Sequence, residues 1–247
     1  MVKKVQSGGW QELLAGRHSI SLDLFLILPL LLAYEIGISL TGPGLRNAAE
    51  VILKDLCLLM TPQTVRYFHW LIAIVIIFCF ARNYSKRRPF FSIFLVVLLE
   101  SLVIAAILGP LLSRVVGAIL LEYPLTAGGE PGFSSSILLS LGAGVYEEIV
   151  FRFLLLGGCY ALLRRVFLVS FTVSTVVAVL LSSVLFSLYH HIGPYAEPLA
   201  APVFLFRMAA GVALGLVFIF RGFGVAVYLH AFYDIFRDIE TALRGGD

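Results

Sequence analysis

Between Phe90 and Leu112 the chain runs for 23 residues with Glu100 as its single charged side chain. A helix crossing the hydrocarbon of a bilayer needs roughly 20 such residues, and buried backbone there must satisfy its own hydrogen bonds. By the same measure Ile20 to Leu40, about Met60 to Ala81, Ser136 to Leu163, Val166 to Tyr189, Pro202 to Phe220 and Phe223 to about Phe236 are further candidates. Of these, the segment ending at Ala81 and the one starting at Phe223 are the least cleanly apolar. Composition agrees: 60% of the 247 residues are hydrophobic, 13% are charged, and mean hydropathy is +0.99. A soluble domain is about half apolar and a quarter charged. The expected fold is therefore all-α, a polytopic transmembrane helix bundle of about seven to eight spans, integral to the membrane. If the chain is prokaryotic, that membrane is the plasma (cell inner) membrane.

Other classes recede on the same composition. A net charge of +3, scattered among apolar runs, offers no surface for nucleic acid. Cys57, Cys79 and Cys159 lie in apolar stretches without CxxC spacing and read as small core residues. Ile20 to Leu40 is long for a signal-peptide core and lacks a clear cleavage site, so it reads as a retained span. "NAAEVILKDLCLL", Asn47 to Leu59, mixes charge with apolar residues and suggests an interfacial helix. "TAGGEPGFSSS", 126 to 136, is the clearest loop. The chain thus divides into N-terminal transmembrane helices with an interfacial segment (1–125), a C-terminal transmembrane core (126–240) and a short polar tail (241–247).

Charges inside hydrocarbon cost roughly 2.5 to 3.5 kcal/mol each on insertion scales and usually face the bundle interior. Asp23, Glu35 and Glu100 stand singly, each interfacial, protonated or hydrogen-bonded to a neighbouring helix. Arg207, near the start of its span, either snorkels or pairs with a carboxylate. The remaining charges gather in three places. In "GVYEEIVFRF", 144 to 153, Glu148 and Arg152 stand at i and i+4, acid first, the favourable order for an ion pair. On a regular helix Glu147 then points about 100° away, and Gly142, Ala143 and Gly144 allow another helix close. Adjacent acids titrate as a coupled pair, which suits a general base as well as a structural Glu-Arg-Glu network. In "LFSLYHHI", 185 to 192, His190 follows Phe186 by one turn, so the ring can pack under the imidazole. His191 points elsewhere. In "YLHAFYDIF", 228 to 236, His230 and Asp234 share a face, which is also compatible with a local self-satisfied pair.

Together the three clusters supply a water-activating base and donors for an oxyanion. "EEIVFR" (147–152) fits EExxxR, "FSLYH" (186–190) fits FxxxH, and "HAFYD" (230–234) fits HxxxN/D, in order on successive apolar segments. This resembles the CPBP family of intramembrane proteases, which includes the CAAX prenyl endopeptidases and proteins of abortive infection and bacteriocin self-immunity. The resemblance covers roughly residues 130 to 240, and its first motif is the most specific. It implies an intramembrane endopeptidase of glutamic type, with Glu147 and His190 activating water, Glu148, Arg152 and Phe186 supporting, and His230 and Asp234 at the oxyanion. The prenyl endopeptidases have Asn where Asp234 stands. An ionised Asp would repel an oxyanion, so Asp234 is expected either to be protonated in its apolar setting or, the favoured reading, to orient His230. Implied partners are the bilayer and a membrane-anchored protein or peptide substrate: a prenylated tail, a precursor with a C-terminal sorting helix, or a peptide toxin.

No cofactor is expected. Zinc is the alternative, disfavoured because neither HExxH spacing nor three close ligands is visible. The competing class is a non-enzymatic membrane protein, either an immunity protein acting by binding or a proton-coupled transporter, although no internal duplication of the transporter kind is visible.

Topology follows from the basic residues, which favour cytoplasmic loops. Lys3, Lys4 and Arg17, then Arg82 and Lys86 to Arg88, then Arg164 and Arg165, then Arg221 fall on one side, with a cytoplasmic N-terminus. Glu147 precedes Arg164 by 17 residues, about 25 Å of helix, which places the site in the non-cytoplasmic half. His230 lies only nine residues from Arg221, about 14 Å, so either the last span enters obliquely or Arg221 sits deeper.

Overall fold

The computed structural model describes residues 20–41, 45–57, 73–78, 80–81, 90–120, 132–192, 196 and 198–244. Lys3, Lys4, Arg17, Arg82, Lys86 to Arg88, Cys79, most of the Met60 to Ala81 candidate and the loop up to residue 131 lie outside them. The described residues are helices joined by short turns. In order these are α1 (Ile20–Leu26), α2 (Leu28–Thr41), α3 (Ala48–Cys57), α4 (Phe90–Leu120), α5 (Phe133–Gly142), two π-helical segments π1 (Ala143–Glu147) and π2 (Ile149–Leu156), α6 (Gly157–Arg165), α7 (Phe171–Tyr189), α8 (Ala201–Arg221) and α9 (Phe223–Arg244). A further helical piece at 73–78 falls within the second expected span. The fold is an all-α membrane bundle, as the apolar runs require.

Among the described residues four helices are long and apolar enough to cross a membrane: Leu22–Thr41, Phe90–Val116, Phe171–Tyr189 and Ala201–Arg221. They carry large apolar side chains such as Phe91, Leu99, Ile107, Val173 and Leu180 on exposed faces, where lipid takes the place of water. Two further expected spans are also helical but carry more charge. The run from Phe133 to Arg165 is continuous through α5, π1, π2 and α6. The last span extends past Phe236 to Arg244, into the stretch read as a polar tail.

Although α9 looked weak as a span, it is the centre of the bundle. It packs on α4, α5, π1, α8 and α1, and Phe223 through Ala231 are buried without interruption. That half of α9, buried all round, turns His230 inward, whereas beyond it Phe236, Arg237 and Glu240 are exposed. Small residues bring the neighbours close. A Cβ on Gly144 would lie 2.8 Å from the Val227 carbonyl oxygen and 2.7 Å from the Ala231 Cβ, so π1 and α9 touch backbone to backbone.

Two of the solitary acids of the first half, Asp23 and Glu100, act on the α8–α9 corner. Gly222 turns the chain there with φ +104°, a conformation that suits glycine. Asp23 Oδ2 accepts the Phe223 backbone N–H at 3.1 Å, capping α9 from another helix in the manner of an N-cap carboxylate. Glu100 takes both the Nε and Nη2 of Arg221, a fork that fits a carboxylate with two parallel bonds. Arg221 is thus paired with a residue well inside α4. Glu35 accepts from the Tyr146 hydroxyl at 2.6 Å. All three acids are thus bonded across helices, one of the readings open for them.

Candidate active site

Three helical runs meet at Glu147. The first is the π-helical stretch, which the sequence suggested would be regular α-helix. Glu148 sits at the junction of π1 and π2. π-Helical turns widen the backbone, depart from the i→i+4 bonding pattern and recur at functional sites. The stretch is supported from outside: the Ser182 hydroxyl of α7 donates to the Phe151 carbonyl at 2.6 Å. Close approach of α9 at Gly144 and of the Tyr34 ring at Gly142 holds the other face.

Glu147 is buried, 4% exposed. Its Oε1 accepts the Asn47 side-chain amide at 3.1 Å. Its Oε2 has no hydrogen bond among the described residues and lies 3.7 Å from His190 Nε2 and 3.8 Å from His230 Nε2. These separations exceed a direct hydrogen bond and suit a bridging water.

The two imidazoles are held differently. His190 Nδ1 lies 2.8 Å from the Phe186 carbonyl oxygen. A carbonyl only accepts, so Nδ1 carries the proton and, in the neutral ring, Nε2 turns a lone pair toward Glu147. The Phe186 ring packs against the same imidazole, centroids 4.6 Å apart, and against His230 at 5.7 Å. The Phe151 ring packs edge-on against it at 5.3 Å, and the Arg152 guanidinium lies 4.3 Å from its centroid. Phe186 therefore stands between the buried cation and both histidines.

His230 has a carboxylate at each nitrogen: Glu148 Oε1 at 2.8 Å from Nδ1 and Asp234 Oδ2 at 3.3 Å from Nε2. Both nitrogens donate in the imidazolium form, and each then has an acceptor. Glu148 Oε1 also lies 2.8 Å from Arg152 Nη1, the i,i+4 pair read from the sequence. Glu147, Glu148, Arg152, Phe186, His190, His230 and Asp234 thus form one cluster. His191 lies aside, stacked on Phe204.

Two further residues border the cluster: Asn47, and Arg207, which the sequence reading took as snorkelling or paired with a carboxylate. Asn47 was read only as the start of an interfacial helix, and a single amide about a hundred residues from its partner leaves no local pattern. Arg207 is buried on the inner face of α8 instead of snorkelling, and its charge bears on Glu147, His190 and Asp234. A cation in the first turns of an apolar span was a usable signal for it. Among the described residues no group of three or more His, Cys, Asp and Glu side chains is arranged to hold a metal ion.

A buried acid–imidazole cluster within an apolar helical bundle defines an integral membrane protein with its polar chemistry turned inward. Residues 130–236, the stretch that carries the three motifs, match the family model described as type II CAAX prenyl endopeptidase Rce1-like. Comparison with the curated proteins and with the solved structures found no match.

Proposed function

We infer that the protein is an intramembrane endopeptidase of glutamic type that hydrolyses a membrane-anchored polypeptide near the bilayer boundary. The observation that carries this reading is the position of Glu147 Oε2, buried and facing two imidazole nitrogens at 3.7 and 3.8 Å. Water held between Glu147 and the lone pair of His190 loses a proton to the carboxylate as its oxygen bonds to the substrate carbonyl carbon. The carbonyl π pair moves onto oxygen, where the positive charge of the His230 imidazolium offsets the developing oxyanion. Collapse of the tetrahedral intermediate breaks the C–N bond, and the proton held by Glu147 passes to the leaving amine.

Asp234 acts on His230 and not on the oxyanion: at 3.3 Å from Nε2 it supports the charged ring, whereas an ionised carboxylate touching the oxyanion would oppose it. Glu148, held beside Arg152, fixes the other nitrogen. Substrates of this chemistry are anchored chains whose scissile bond can unfold into the bundle: prenylated tails, precursors with a C-terminal sorting helix, or membrane peptides.

The purified chain in lipid nanodiscs, mixed with detergent-solubilised membrane proteins, tests the reading by mass spectrometry of newly formed termini. New termini with the native chain and none with Glu147→Gln are expected, and a chelator should leave the native pattern unchanged. Loss on chelation with recovery on adding zinc would replace glutamate catalysis by metal catalysis. Identical termini from both chains would favour an immunity protein acting by binding.

A further inference from the structure

The helix α3 lies outside the family match and carries none of the three motifs, yet it supplies a direct bond to Glu147. Asn47, 7% exposed, uses both ends of its amide. The side-chain Oδ1 accepts the Ala49 backbone N–H at 2.8 Å, which is the N-cap bond of α3. An oxygen assigned by that donor leaves Nδ2 to point the other way, and it donates to Glu147 Oε1 at 3.1 Å. The amide cannot rotate to exchange these atoms without placing N–H against N–H on one side and oxygen against carboxylate on the other. Its backbone is fixed as well. Asn47 N–H donates to the Tyr34 hydroxyl at 3.0 Å, and Tyr34 donates to Glu50, a fully buried carboxylate also reached by Arg46 and Lys54.

We propose that Asn47 is a positioning residue for Glu147: by occupying Oε1 it orients the carboxylate so that Oε2 is the oxygen presented to His190 and His230. A carboxylate has two chemically equal oxygens and rotates about its last torsion with a broad, soft profile. One fixed donor at Oε1 breaks that equivalence. The inference rests on the proposed function, since it concerns the geometry of the same base.

Two variants separate capping from positioning. Serine caps a helix about as well as asparagine, whereas alanine does not, and neither can donate an amide to Glu147. Asn47→Ser is expected to melt like the native chain yet to lose about 10- to 100-fold in kcat, the range for removing a bond that orients a first-contact ligand, with KM little changed. Asn47→Ala should show the same loss in kcat and a lower melting temperature. Both are assayed beside the native chain and Glu147→Gln on one cleaved membrane protein. Native kcat in Asn47→Ser, where Glu147→Gln is inactive, overturns the positioning role, leaves Asn47 as a cap alone and leaves the proposed function standing. Equal cleavage by the native chain and Glu147→Gln removes the proposed function, and the positioning role falls with it.

Discussion

At the residue scale, the site separates two adjacent glutamates into different tasks. Glu148 lies between Arg152 and His230, whereas Glu147 presents Oε2 to imidazoles. Removing the Arg152 cation leaves a carboxylate at 0% exposure with less compensation. Arg152→Met should therefore lower stability by about 3 kcal/mol or more, as for one partner of a buried ion pair, read from thermal unfolding in detergent; a shift within error would show that His230 alone suffices for Glu148. Asp234→Asn keeps an acceptor for His230 Nε2 but removes the charge. Its turnover should fall about 10- to 100-fold, the range for a histidine's orienting partner, and Asp234→Ala should fall further. Higher turnover in Asp234→Asn would place that residue against the oxyanion. The partnership of Glu148 with Arg152 was readable because i,i+4 spacing is a local rule. Asn47 was not, because a contact between α3 and π1 is set by packing and leaves no periodic trace in either segment.

At the element scale, the three motifs converge because π1, α7 and α9 approach closely. At Gly144 the nearest opposing atoms include the backbone of α9, Val227 O and Ala231 N, which cannot swing away as a side chain would. Gly144→Ala should cost about 1–3 kcal/mol by overpacking and separate Glu147 from His230, with activity lost. Gly158, on α6, has nothing within 4 Å of an added Cβ. Gly158→Ala should be neutral, or more stable by about 0.5–1 kcal/mol through helix propensity, with activity retained. Equal effects of the two substitutions, in stability and turnover, would remove the close approach as the reason for the glycine. The apolar runs made helices legible. They did not reveal π1 and π2: the contacts that border that stretch, from Ser182 and the backbone of α9, join segments far apart in sequence. The same argument explains α9: its charges weakened it as a span when read alone, and they are what the surrounding helices enclose.

At the scale of the whole molecule, the segment that matches the Rce1-like model carries the clustered acids and imidazoles, and the first helices bond to it. Asp23 caps α9, Glu100 takes Arg221 at the same corner, and Tyr34, Glu35 and Asn47 reach π1 from α2 and the start of α3. The arrangement of basic residues further proposes an orientation with Glu147 in the non-cytoplasmic half. A cysteine at Ser135, near the start of α5, should then react with impermeant reagents added outside intact cells; labelling only after the cytoplasmic face is opened would invert that topology. The central claim is that Glu147 activates water to cut membrane-anchored chains. Its most direct test is to compare the termini of membrane proteins in cells carrying equal amounts of the native chain and of Glu147→Gln. The account expects a discrete set of termini present with the native chain and missing with the variant; the same termini in both would contradict it.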